Sequence, residues 1–174
     1  DGDPIAWIGC AEDLPKEYAG EDVGVTDVGG ATVMPGLIDT HMHISFGEPQ
    51  SEEELYFYTP SPYRAIRAAA NAEKVLLAGV TRACDPGGPV GVAAAVRDAV
   101  DAGLIQGPRF SAAGRQITSQ QGIGDTLPRW INIEESSFGA LVTPKDELLN
   151  EIRNEVKDGV DLIKIAGSGP GTTE

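Results

Sequence analysis

The only two histidines of the 174-residue chain, His41 and His43, lie one residue apart in "PGLIDTHMHISFG", Pro35 to Gly47. On an extended strand, residues i and i+2 point to the same side. Two imidazoles placed so can reach one ion, and neutral imidazole is the commonest ligand for zinc and related metals. A histidine in a strand is more often a hydrogen-bonded core or surface residue, so the spacing alone leaves both readings open. Alternation sharpens the choice. Leu37, Asp39, His41 and His43 fall on one face, and Ile38, Thr40, Met42 and Ile44 on the other. The second face suits packing against helices; the first carries one carboxylate and two imidazoles, a poor core surface and a good metal surface. Lys164, in "DLIKIAG", raises a related question. It shares a face with Leu162 and Ala166, and a charged ammonium inside an apolar strand is costly unless something neutralises it. A lysine that reaches solvent past a strand end is the plainer alternative.

The elements that must position these groups follow from hydrophobic period and turn residues. Leu37 to Ile44 reads as a strand. Ile66, Ala69, Ala70, Leu76 and Leu77 fall on one helical face, and Gly79 stops that helix. "GVTRACDPGG" (Gly79 to Gly88) is a strand running into a glycine turn. Val92, Val96, Ala99 and Val100 mark a second helix, with Gly103 past its end. "PRFSAAG" (Pro108 to Gly114) is a third strand. Thr143, Pro144 and Asp146 read as a cap and first turn, and Leu148, Leu149, Ile152 and Val156 as the apolar stripe of a helix ended by Gly159. "VDLIKIAG" (Val160 to Gly167) is a fourth strand. Alternating strands and helices predict an α/β fold with parallel strands and crossover helices. The stretch Gly114 to Thr143 is long for a connection, as lids and binding loops are. Before Leu37, "PIAWIG" and Ala31 to Met34 read as short strands, too few for a domain.

Composition excludes some functions. Thirteen Lys and Arg against 27 Asp and Glu give a net charge of −14. Without a basic cluster no nucleic-acid groove is expected. No apolar run is long enough to span a membrane, and no signal-peptide pattern opens the chain. Cys10 and Cys84 stand in unlike contexts, so reduced thiols and a cytoplasmic location are the expectation. The turns "DPGGPVG" and "GSGPG" lack the P-loop pattern; both can line a substrate pocket.

"VMPGLIDTHMH" resembles the signature of the amidohydrolase superfamily. "GVTRACDPGG", "GPRFSAAGRQIT" and "VKDGVDLIKIAGSG" resemble the second, third and fourth barrel strands of its imidazolonepropionase-related, Xaa-Pro dipeptidase-like branch. "PIAWIG" resembles part of the small N-terminal β-sandwich of those enzymes. The resemblance implies the first half of a (β/α)₈ TIM-like barrel over residues 35–174, with a β-sandwich remnant over residues 1–34. It implies a metal-dependent hydrolase that attacks an amide-type C–N bond with metal-bound hydroxide. Two divalent ions, zinc foremost, are then the cofactors, with His41 and His43 on one of them. Lys164 is implied to be carboxylated by carbon dioxide, its carbamate bridging to the second. A small-molecule substrate and a homo-oligomer are the implied partners.

Asp39, Tyr63, Gln121 and Ser168 are candidates to orient a ligand or touch substrate. Ile123 stands where the branch often has a glycine-flanked histidine, which leaves room for a more apolar substrate. A full barrel needs about 250 residues, and the superfamily's later histidines and general-base aspartate have no counterpart here. The remaining barrel half is therefore an expected partner, in the same or a separate chain. The alternatives are a mononuclear deaminase or cyclic-amide hydrolase, in which Lys164 is no ligand, and a non-catalytic assembly module.

Overall fold

The computed structural model describes residues 4–20, 22–125, 127–131 and 138–167. The chain divides into two compact units, Asp1–Pro35 and Gly36–Glu174.

In the first unit the described residues form two tight helical turns, Ala11–Asp13 and Lys16–Tyr18. No strand forms there among the described residues. The hydrogen bonds are local, such as Asp13 N–H to the Cys10 carbonyl at 2.8 Å and Ala31 N–H to the Val28 carbonyl at 3.1 Å. The short strands expected at "PIAWIG" and Ala31 to Met34 therefore do not pair within this unit, and Ile5, Ile8, Val25 and Val33 are exposed. An extended segment becomes a strand only when a neighbour takes up its N–H and C=O groups.

The second unit begins with β1 (Leu37–Asp39), α1 (Ser61–Leu77), β2 (Val80–Asp85), α2 (Val92–Asp101) and β3 (Arg109–Ala112). These three strands form a parallel sheet in the order β1-β2-β3, as the alternation of elements predicts. β4 (Gln116–Thr118) and β5 (Gly139–Leu141) follow and form a second parallel pair; α3 (Lys145–Lys157) completes the set. The long connection of the sequence reading is thus structured at both ends. The expected fourth strand is reduced to two parallel bridges, Ala113 with Leu162 and Ile117 with Ile165. Gly79, Gly103 and Gly159 end the three helices with φ of 95°, 70° and 82°, the left-handed conformation that glycine adopts without a Cβ penalty.

β1 is shorter than expected. Asp39 Oδ1 accepts the His41 N–H at 3.0 Å, a local turn that competes with the ladder. Asp39 aligns with Ala83, and Ala83 with Phe110, which packs against the core. Ile38 aligns with Arg82, and Arg82 with Arg109. The alternation assigned from sequence is thus reversed within β1. It recovers after the turn: Met42 packs against the core and Ile44 belongs to it.

The core joins Ile44, Ala68, Ala72, Val92, Ala93, Ala94, Val96 and Ala112. The buried stripe of α1 is Arg64, Ala68 and Ala72, not the bulkier residues read from sequence; Ile66 is 70% exposed and Leu77 77% exposed. Close packing explains this choice. A Cβ at Gly107 would lie 2.9 Å from both the Ala72 Cβ and a Val100 methyl, so only small residues fit. α3 starts with Pro144 at the cap position and no side-chain cap. Thr143, the expected cap, instead donates its N–H to Glu147 at 3.2 Å.

The one fully buried residue of α3 is Glu155, while Val156 of the expected stripe is exposed. Burial first, and the Glu151 charge next, push the Glu155 carboxyl up to about 7. Its folded value lies above the ordinary one, so the folded state holds the proton longer and stability falls as pH rises from about 4.5 to about 7. Glu155→Gln is expected to raise stability at pH 8 by about 3 kcal/mol at most and to leave it unchanged at pH 4.5. Urea denaturation at the two pH values checks this.

Candidate functional site

The site lies where β1, β2 and β3 release their C-terminal ends. Asp85, the last residue of β2, is fully buried. Its Oδ2 accepts the Ile44 N–H at 3.1 Å and its Oδ1 accepts the Gly87 N–H at 3.1 Å. One carboxylate therefore fixes both the chain after β1 and the turn after β2. Met42 N–H to the Cys84 carbonyl, 3.0 Å, continues the ladder past the end of β1.

His43 is held by this frame. Its Nδ1 lies 2.5 Å from the Gly87 carbonyl and 3.5 Å from Asp85 Oδ1. A carbonyl only accepts, so Nδ1 carries the proton and Nε2 keeps its lone pair. A backbone carbonyl or carboxylate on the far nitrogen is how metal-binding imidazoles are oriented. The ring stacks on Phe46, centroids 4.4 Å apart and planes at 10°, and Phe46 in turn meets the buried Phe138 at 4.4 Å. Burial pulls the His43 pKa down, but Asp85 and the Gly87 carbonyl outweigh it, and the net shift is upward.

His41 is exposed, with its ring edge-on to His43 at 5.3 Å between centroids. Lys164 is half-buried, and its charge opposes protonation of His43; burial first, and the Asp85 charge next, push the nearby Cys84 thiol up. His41 and His43 are thus in ring contact, and of the two it is His43 that feels the Lys164 charge. Among the described residues, no group of three or more His, Cys, Asp and Glu side chains surrounds a common point.

The other sequence candidates take different places. Asp39 holds the His41 backbone rather than a ring. Tyr63, on α1, is 54% exposed and packs under the Arg67 guanidinium at 5.6 Å. Gln121 lines a cavity of about 910 Å³ with Arg115, Asp125 and Glu151; none of His41, His43 and Lys164 lines it. Ser168 lies outside the described residues. Asp85, Phe46 and Phe138 were missed by the sequence reading. The signal for Asp85 was present: an acidic residue closing the strand beside the histidine strand, directly before Pro-Gly-Gly.

A parallel α/β unit with its polar groups collected at the strand C-terminal ends is the arrangement of barrel hydrolases and their open-sheet counterparts. Comparison with known proteins makes this specific. The amidohydrolase family profile matches residues 32–172, and the chain belongs to that family. The imidazolonepropionase of Roseobacter denitrificans is 35% identical over 105 residues, which cover 60% of this chain and 22% of the relative. That of Cupriavidus pinatubonensis is 27% identical over 167 residues, covering 91% of this chain and 37% of the relative. A prolidase solved with N-methylphosphonate-L-proline superposes with a TM-score of 0.72 at 29% identity, covering 90% of this chain and 38% of that one. Ochratoxinase of A. niger shares the fold, with a TM-score of 0.71 at 22% identity over 97% of this chain and 44% of that one. The chain thus spans less than half the length of each of these relatives. No helix among the described residues is long and apolar enough to cross a membrane.

Replacing Asp85 isolates its role. Asp85→Ala leaves two buried N–H groups without an acceptor and is expected to cost roughly 2–5 kcal/mol, measured by urea denaturation. Asp85→Asn removes the charge while keeping the shape. It should lower the NMR titration midpoint of His43, since the carboxylate raises it.

Proposed function

We propose that this chain supplies the N-terminal half of a metal-dependent hydrolase barrel that cleaves an amide-type C–N bond. The observation that carries the reading is the fixed His43 ring: Nδ1 is engaged by the Gly87 carbonyl, and Nε2 is left to ligate, beside His41 and within electrostatic reach of Lys164. The donor chemistry fits a zinc-like ion, because both groups offer neutral imidazole nitrogen. His41 and His43 hold one ion, and Lys164, as its carbamate, reaches toward a second. Such ions lower the pKa of bound water and polarise the scissile carbonyl.

This chain's own residues do the orienting. Asp85 and Gly87 set the His43 tautomer; Phe46 and Phe138 fix the ring plane; Asp39 sets the backbone at His41. The remaining ligands and the general base belong to the other half of the barrel, which stands as the partner of this one. The N-terminal unit is read as the β-sandwich remnant, whose strands form when their partners are present. The similarity to prolidases supports a dipeptide or N-acyl amino acid as substrate, with carbamates and ureas in the same chemical class. A small soluble substrate, a cytoplasmic setting and a homo-oligomer complete the proposal.

A second reading is favoured by the imidazolonepropionase relatives: a mononuclear cyclic-amide hydrolase in which Lys164 is no ligand. Metal counting separates the two. In the assembled enzyme, two ions per site are expected, falling to one in Lys164→Ala, with His43→Ala losing more than 100-fold in activity, as expected for a lost ligand or its support. One ion per site, unchanged in Lys164→Ala, establishes the mononuclear reading. An assembly that binds no metal and hydrolyses nothing leaves only the assembly module.

A further inference from the structure

The frame around His43 extends beyond Asp85. The turn after β2 is clamped to the chain after β3 by two backbone bonds: Ala113 N–H to the Asp85 carbonyl, 2.8 Å, and Gly88 N–H to the Gly114 carbonyl, 3.0 Å. Gly114 is buried, and the Glu155 side chain from α3 lies directly against it. A Cβ at Gly114 would meet the Glu155 carboxyl carbon at 2.7 Å and Oε1 at 2.7 Å. Glu155 is 4% exposed, and its carboxyl faces the backbone N–H of Arg115, the residue after Gly114. Burial and the Glu151 charge outweigh that contact, so a carboxyl here is costly and calls for a reason. Its position supplies one, because it occupies the space into which Gly114 would otherwise relax.

We propose that Glu155 is a positioning residue for His43: its side chain props the Gly114 backbone, the Gly114 carbonyl holds the Gly88 amide, and the Gly87 carbonyl is thereby kept on His43 Nδ1. The path runs from Glu155 against Gly114, through the Gly114–Gly88 hydrogen bond and the Gly87–Gly88 peptide bond, to the Gly87–His43 hydrogen bond. The groups facing Glu155 are Glu151 and Asp158 from its own helix and Arg115 from the chain after β3. Lys157 lines the adjoining cavity of about 340 Å³ with them. Van der Waals support from the side chain's shape, rather than its charge, performs the task, so an uncharged isostere suffices. The importance of the effect for catalysis rests on the reading of His43 as a ligand; the effect itself does not.

The test reads the tautomer of His43 in the metal-free assembled protein by long-range ¹H–¹⁵N correlation, its own signals being those that vanish in His43→Gln. Wild type is expected to show the proton on Nδ1. Glu155→Ala should lower the Nδ1–H share by about twofold or more, and Glu155→Gln should restore it. Gly114→Ala, whose methyl collides with the Glu155 carboxyl, should lower it as well, and it serves if Glu155→Ala does not fold. An unchanged tautomer in folded Glu155→Ala or folded Gly114→Ala overturns the proposal and leaves Glu155 a packing residue, whatever happens to the melting temperature. Because no metal or activity enters this readout, its failure is distinct from failure of the hydrolase reading, which metal counting decides.

Discussion

A single buried carboxylate organises the polar end of this sheet. Asp85 accepts one N–H from the chain that leaves β1 and one from the turn that leaves β2. Each bond alone contributes modestly, but a buried polar group left without partners pays its full desolvation cost, which makes the pair far costlier to break than to keep. The result is a rigid corner. His43, the Gly87 carbonyl and the Phe46 ring are placed relative to one another by that corner rather than by the strand itself. The two histidines differ accordingly: His43 is half-buried and oriented, while His41 is exposed and tethered through its backbone.

Much of the order of elements was legible in the sequence, for local reasons. The glycines at 79, 103 and 159 mark helix ends because no other residue takes that conformation so cheaply. The runs that became β2, α2 and β3 carry unambiguous periods. What could not be read required tertiary information. The α1 face was misassigned because close helix contact selects Ala68 and Ala72 over Ile66 and Leu77. β1 stops early because the Asp39 side chain competes with the ladder for the His41 amide. β4 and β5 are three residues each, too short for a period, and exist only as a pair.

The candidate site divides along the same line. The imidazole pair and Lys164 stood out because charged or ligating residues are anomalous inside apolar strands. Asp85 looked like an ordinary turn residue before Pro-Gly-Gly, and Phe46 and Phe138 are 92 positions apart in sequence, so their tilted ring contact is a property of the fold alone. Arg64 belongs to this hidden group. It is fully buried, donates to the Thr59 and Leu55 carbonyls, and lies 5.4 Å from the Phe138 ring centroid. A guanidinium inside α1 thereby supports, through Phe138 and Phe46, an imidazole on another element.

β1 is an edge strand: among the described strands it pairs with β2 alone. Its outer edge, with no partner among the described strands, ends at the Asp39 turn just before the imidazoles. Any strand that joins there is read off against this edge like a vernier scale, in steps of two residues, because a slip of one turns every side chain to the opposite face. A newcomer's side chains would therefore be indexed to the histidines by main-chain pairing before any of them touched an ion. The short edge of Leu37–Asp39 acts as the gauge that decides which residues of a neighbouring strand can share the space above His41 and His43.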